Sequence, residues 1–215
     1  MKKAVIFDLD GVLVNSIPTH FKKHQEILKK VAGYTLTKEY FYSYCNGQVA
    51  DEFHKRIVKE NHLDPSLIKK LNDLNSRYNK TIFLDKVKTF PYVKTILRQL
   101  QKKGIKLAVA SSSRKKLVNQ MLVNNDIKKY FNHIITGDDV TKTKPDPEIF
   151  LLARKRLGIK KSECVVIEDA LNGFKAAKKA GIDCIGVATS LSKKQFPKGI
   201  KYASDHRRIM NLIKN

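Results

Sequence analysis

The chain has 215 residues, 42% of them apolar and 29% charged, a balance that supports a real core in one or two domains and excludes disorder as the main state. Its longest stretch without Asp, Glu, Lys or Arg is about 11 residues, against the ~18 or more that a spanning helix needs, and its N-terminal apolar run contains acids, so neither a membrane span nor a signal peptide is predicted. The 43 Lys and Arg against 20 Asp and Glu give a formal charge of +23, but only eight of the basic residues are Arg and the lysines pepper nearly every helical segment, which predicts solvated faces rather than a nucleic-acid stripe.

In chain order, the first element is a buried strand at Ala4–Phe7. From about residue 16 to 82 there is helical pattern only, with apolar positions such as Phe21, Ile27, Leu28 and Val31, and Leu67, Ile68, Leu71 and Leu74. Thr37 is a plausible N-cap there, with Glu39 in the first turn. Beyond it, short apolar runs at Ile105–Ala110, His133–Thr136, Cys164–Ile167 and Cys184–Ala188 alternate with helices over about 91–103, 114–125, 147–157 and 170–180. Continuous apolar strands are the habit of a parallel sheet covered on both faces, and Gly104, Gly158 and Gly181 follow three of the helices where a terminating glycine belongs. The fold class is therefore α/β, a doubly wound parallel sheet formed by 1–15 and 83–215. A small helical domain, 16–82, is inserted after the first strand through linkers near Val14–Ser16 and Phe83–Thr89. Cys45, Cys164 and Cys184 show no metal or disulfide spacing, and the last two open strand-like runs, so reduced thiols in a cytoplasmic protein are expected.

Four pieces of chain carry chemistry. Asp8 and Asp10 sit at i and i+2 where the first strand runs into Gly11, and in an open α/β sheet the C-terminal strand ends line the ligand crevice. Two close carboxylates repel each other and favour a hard cation with oxygen ligands. Ser111, Ser112 and Ser113 follow the run ending at Ala110, a place for an anion beside a helix N-terminus, with Ser113 also a candidate N-cap. Lys144 is flanked by Pro145 and Pro147 within Lys142–Pro147 and so has a restricted reach, whereas Lys142 reads as solvated. Glu168 and Asp169 again end a strand, followed by Asn172-Gly173, and would complete an oxygen cage for Mg²⁺.

These elements, in this order, resemble the haloacid dehalogenase superfamily: Asp8-Leu9-Asp10-Gly11-Val12, a Ser ending the second core strand, Lys144-Pro145-Asp146-Pro147, and Glu168-Asp169 before Asn172-Gly173. The inserted helices match the cap of the subgroup holding phosphoglycolate phosphatases, small sugar phosphatases and β-phosphoglucomutases. The resemblance implies a Mg²⁺-dependent phosphatase acting on a small phosphorylated metabolite, a sugar phosphate or phosphoglycolate. Asp8 would be the nucleophile that becomes an aspartyl-phosphate, and Asp10 the general acid and base. Ser111, the Ser112 N–H and Lys144 would hold the phosphoryl oxygens. Asp8, the Asp10 carbonyl and Asp169 would hold the metal, with Glu168 as ligand or neighbour. Dehalogenases lack the second aspartate, so Asp10 favours phosphate ester chemistry.

The inserted domain says less. His20 resembles a histidine of the mutases and related phosphatases, and is equally readable as hinge packing. Gln48 lies in Cys45–Glu52, which resembles the loop placed over the active site. In β-phosphoglucomutases that loop carries an Arg gripping a second phosphate, and the aligned position here is Ala50, with Lys55 and Arg56 the nearest basic residues. Tyr34, Tyr40, Tyr42 and Tyr44 read first as the small domain's own core and rim. Arg77 and Lys80, with His20 and Gln48, complete the substrate candidates. A phosphosugar mutase is the alternative, and a basic nucleic-acid-binding protein on a retired enzyme scaffold the second alternative. No membrane partner and no nucleic acid is expected, and a monomer is favoured.

Overall fold

The structure is a computed structural model that describes residues 2–44, 49–81 and 86–214. Six strands form one sheet: β1 Ala4–Phe7, β2 Lys106–Ala110, β3 His133–Ile135, β4 Cys164–Glu168, β5 Asp183–Val187 and β6 Lys201–Ala203. Their order is β3-β2-β1-β4-β5-β6, and every pairing is parallel. The chain reverses its direction of winding at β1, between β2 and β4, which is where such sheets open a crevice. Register then decides the neighbours. Phe7 lies beside Val109 on one side and Ile167 on the other, so Asp8, Ala110-Ser111 and Glu168-Asp169 leave the sheet at one level.

Strand alternation divides the apolar residues cleanly. Val5, Phe7, Leu107, Val109, Val165 and Ile167 pack on one face with α5 (Val93–Lys102), α6 (Lys115–Asn124) and α9 (Ile209–Lys214). Ala4, Ile6, Ala108, Ala110, Cys164 and Val166 pack on the other with α7 (Glu148–Leu157) and α8 (Leu171–Ala180). Cys164 and Cys184 are free and buried, and Cys45 lies outside the described residues. The α/β reading and the helix ends hold: Gly104, Gly158 and Gly181 all take positive φ. The reading missed β6 and α9, a three-residue edge strand and a six-residue helix, both too short to show a period. It also placed an N-cap on Ser113, whereas Arg114 is the N-cap of α6 with no side-chain bond, and the Ser113 hydroxyl is engaged elsewhere.

Between β1 and α5 stand only helices among the described residues: α1 (Ile17–Ala32), α2 (Lys38–Tyr44), α3 (Ala50–Glu60) and α4 (Leu67–Thr81). They have their own core of Ile17, Ile27, Leu28, Leu36, Phe41, Phe53, Ile57, Val58 and Leu71. Thr37 caps α2 as expected, its Oγ1 accepting the Tyr40 N–H at 3.2 Å. Tyr34, Tyr40 and Tyr42 pack against this core while Tyr44 stays exposed. Tyr40 and Tyr44 lie 4.9 Å apart, ring centre to ring centre. The outgoing and returning chains pair at Val14 and Thr89 in an antiparallel bridge. Asn125 clamps the returning chain through Thr89 N–H and the Val87 carbonyl. No helix among the described residues is long and apolar enough to cross a membrane. Lys22, Lys29, Lys30, Lys69, Lys70, Lys102, Lys103, Lys160, Lys161, Lys178 and Lys179 are exposed, whereas Lys23 is buried in α1.

His206 braces the loop after β1. Its Nε2–H donates to the Val12 carbonyl at 2.6 Å, and its ring stacks on Phe90 at 4.8 Å. Burial holds its basicity below the usual histidine range. The folded state therefore binds its proton less readily than the unfolded chain, so this contribution is complete above the ordinary histidine pKa of ~6.5 and is lost as pH falls below it. We expect the stability difference between wild type and His206→Gln, which keeps a donor for Val12, to shift against wild type between pH 7.5 and 5. A difference in thermal midpoint that stays flat over that range would show that His206 is not held neutral.

Candidate active site

The crevice is built from strand ends. Asp8 continues β1, its N–H still bonded to the Ile167 carbonyl at 3.0 Å, and Gly11 turns the chain at φ +84°. A side chain at Gly11 would place its first carbon 2.0 Å from Asp169 Oδ2, and one at Gly173 would lie 1.8 Å from Glu168 Oε1. Both glycines thus let carboxylates lie directly against backbone. The turn is fixed from β5: Thr189 donates to the Gly11 carbonyl at 2.5 Å and Ser190 donates to Asp169 Oδ2.

At the centre is a buried ammonium. Lys144 Nζ lies 2.5 Å from Asp8 Oδ1 and 2.7 Å from Glu168 Oε1, with the Phe150 ring 4.8 Å away. Glu168 spends its other oxygen on the Asp169 and Ala170 N–H groups, at 2.7 and 2.8 Å. Lys142 is exposed, as expected. Burial pushes the Asp8 carboxyl up to about 8, Lys144 lowering it and the Glu168 and Asp10 charges raising it. Burial and the neighbouring Glu168 charge likewise push Asp169 well above the usual carboxylate range, while Lys144, despite burial, is raised by Asp8 and Glu168.

Asp8, Glu168 and Asp169 each offer an oxygen within 4.8 Å of the others. Three buried carboxylates outnumber the single ammonium, and hard oxygen acceptors converging in this way fit a divalent cation. Among the described residues, Asp8 and Asp169 each keep one oxygen without a hydrogen bond for it, whereas both oxygens of Glu168 are engaged. The Asp10 side chain stands outside this group. Its Oδ1 accepts from Ser16 at 2.5 Å and faces His20 Nε2 at 3.2 Å; its Oδ2 accepts from Ser113 at 3.1 Å and faces Ser111 Oγ at 3.4 Å. Burial would raise this carboxyl, but hydrogen bonds from His20, Ser16 and Ser113 and the His20 charge outweigh it and hold Asp10 down to about 2.

A cavity of about 640 Å³ opens between this edge and the inserted helices, lined by Asp8, Asp10, Ser111, Ser112, Lys144 and Asp169 below and by residues of α1, α3 and α4 above. Of the residues singled out in the sequence, His20 enters the wall. Arg77 is exposed and outside the lining, because the cavity face of α4 carries Asn72, Asn75 and Ser76 and Arg77 is turned about 100° past Ser76. Gln48 and the side chain of Lys80 lie outside the described residues. Sequence reasoning passed over Ser16, Thr189 and Ser190. The last two had a signal, since they follow β5 at the same sheet edge.

The match to known proteins is decisive. A family model described as haloacid dehalogenase-like hydrolase matches residues 5–187. The chain belongs to that family. Within it, a phosphorylated carbohydrates phosphatase of Thermotoga maritima is 33% identical, with 99% of this chain and 98% of that protein covered. A fructose-1-phosphate phosphatase of Escherichia coli is 29% identical over 85% of this chain and 95% of its own length. A solved hydrolase of Pseudomonas syringae shares the fold at TM-score 0.86 and 22% identity, covering 99% of this chain and 98% of that one.

For this haloacid dehalogenase-like chain we expect a millimolar divalent cation to raise the thermal midpoint, since a ligand bound only by the folded state stabilises it. Asp169→Asn should unfold no earlier than wild type without the ion, because it removes one of three repelling carboxylates, and should lose most of the ion-dependent rise. An unchanged rise in the variant would exclude Asp169 as a ligand.

Proposed function

We propose that the chain is a Mg²⁺-dependent phosphatase that hydrolyses a small phosphorylated metabolite through an aspartyl-phosphate on Asp8. Residues 1–15 and 83–215 would form the catalytic core and 16–82 a cap over it. The observation that carries the reading is the division of labour between two aspartates two residues apart: Asp8 lies against Lys144, while Asp10 is held by Ser16, Ser113 and His20. The relatives named for phosphorylated carbohydrates and for fructose 1-phosphate support the substrate class.

An Asp8 oxygen attacks phosphorus, the P–O bond to the leaving group breaks, and the alkoxide takes a proton from Asp10. Water then gives a proton to the Asp10 carboxylate and attacks the same phosphorus, releasing Asp8 and phosphate. Held ionised at rest, Asp10 suits the second step. For the first, the like charge of an arriving phosphate raises its pKa, and His20 lies against Oδ1 as a neighbouring proton carrier. Lys144, Ser111 and the Ser112 N–H would hold phosphoryl oxygens, since a carboxylate reaches an anionic phosphate only where positive charge and donors offset the repulsion. Mg²⁺, held by Asp8, Asp169 and the Asp10 carbonyl, would supply the remaining positive charge. The cavity wall carries Ala50, whose methyl cannot grip a second phosphate, and this favours hydrolysis over the mutase alternative.

With Mg²⁺ and para-nitrophenyl phosphate, Asp8→Asn should lose roughly three orders of magnitude or more in kcat, and Asp10→Asn about 10²–10⁴-fold. Retained turnover in Asp8→Asn would remove the nucleophile from Asp8. Given β-glucose 1-phosphate and its bisphosphate, the wild type should release inorganic phosphate; an isomerised sugar phosphate with little free phosphate would establish the mutase instead.

A further inference from the structure

Thr189 and Ser190, on the loop after β5, have no part in the two chemical steps, yet the loop that carries them is tied down on both sides. The Ala188 N–H donates to the Ala203 carbonyl at 2.9 Å and the Thr189 N–H to the Val187 carbonyl at 3.0 Å. On the far side, Leu191 is buried in the core between the sheet, α7 and α8. Phe196 lies over Gly186, where a first side-chain carbon would overlap its ring, and packs on Phe174 and Tyr202 at 5.3 and 4.9 Å between ring centres. The backbone beneath both hydroxyls is therefore set from each end.

The two hydroxyls close on one carboxylate. Thr189 donates to the Gly11 carbonyl at 2.5 Å and so fixes the glycine against which Asp169 lies, while Ser190 donates to Asp169 Oδ2. A side chain at Gly11 would overlap that same Oδ2 and stand 3.1 Å from Oδ1. One oxygen is thus bonded by Ser190 and pressed against backbone. The other, Oδ1, accepts no hydrogen bond among the described residues. Asp169 enters the carboxylate cluster with one oxygen spent on the protein and one left over.

Cations of equal charge use carboxylates differently. Mg²⁺ is small and holds about six oxygens in a near-ideal octahedron, whereas the larger Ca²⁺ takes about six to eight and accepts both oxygens of one carboxylate. A carboxylate that keeps one oxygen for the protein suits the first ion and leaves the second under-coordinated. We infer that Ser190 is a specificity-determining residue: by holding Asp169 Oδ2 it restricts Asp169 to a single ligand oxygen and favours a small octahedral cation over Ca²⁺. A hydroxyl does this without adding charge to the site, where a lysine or arginine would repel the ion. The inference rests on the proposed metal site and on no other part of the phosphatase reading.

The test needs no substrate. Thermal midpoints of the full chain are followed against MgCl₂ and, separately, CaCl₂ at constant ionic strength, and each rise gives a Kd. Ser190→Ala should weaken Mg²⁺ about 10–100-fold, the range for losing the partner of a metal-ligating group, while Ca²⁺ binds as tightly as before or more so, which moves the preference between the ions by at least about tenfold. Ser190→Thr, which keeps the hydroxyl, should retain the wild-type preference, with circular dichroism confirming the fold of each variant. Equal losses for both ions, an unchanged preference in Ser190→Ala, or a Ser190→Thr protein that behaves like Ser190→Ala overturns the inference and leaves the metal site standing. A wild type whose midpoint answers to neither ion, or an Asp169→Asn variant that answers as the wild type does, overturns the metal site itself and the inference with it.

Discussion

Lys144 is 3% exposed, so its ammonium is largely withdrawn from solvent and depends on the carboxylates around it. Removing an ion from water costs several kcal/mol even after relaxation, so this lysine is tenable only where Asp8 and Glu168 meet it at 2.5 and 2.7 Å. The dependence runs both ways. Without Lys144, the carboxylates that end β1 and β4 would face one another unscreened. Their meeting point is set by register, because Phe7 pairs with Ile167 and carries Asp8 to the level of Glu168. A slip of one residue would turn Asp8 to the opposite face of the sheet. The ammonium therefore reports that strand pairing, loop length and burial agree at one place.

The two aspartates of the first turn show how environment divides identical side chains. Asp8 stands among like charges in a dry setting and is pushed up to about 8. Asp10 accepts hydrogen bonds from His20, Ser16 and Ser113 and is drawn down to about 2. Pairs of titratable groups whose surroundings separate them in this way mark distinct roles in acid–base chemistry. The groups responsible are His20 in α1, Ser16 just before that helix, and Ser113 after β2. One of them, Ser16, reaches the site because the turn at 11–13 brings Val14 back beside Asp10.

Much of this was legible in the residues. Five apolar runs gave five of the six strands, because strands buried on both faces cannot be polar, and the four motifs, three charged and one of serines, fall at one edge because parallel strands all end there. Cap residues were harder to assign. Arg77 and Asn75 are two positions apart, and only the phase of α4 against α1 and α3 decides which one faces the cavity. The hydrogen bonds among Asn72, His54 and His24 join three helices, and no local pattern encodes them. Lys23 looked like any other lysine in a lysine-rich chain until packing closed over it.

The bridge between Val14 and Thr89 also bears on how such a chain can change over evolution. Backbones paired in this way hold their ends about 5 Å apart, so the chain passes between the sheet and the inserted helices through stems that lie side by side at Val14 and Thr89. The entropy of closing a segment across fixed ends grows only with the logarithm of its length. A lineage can therefore lengthen, shorten or replace the helical insert with little penalty to the sheet, leaving the chemistry of the edge in place while the roof above it is exchanged for one that fits a different molecule.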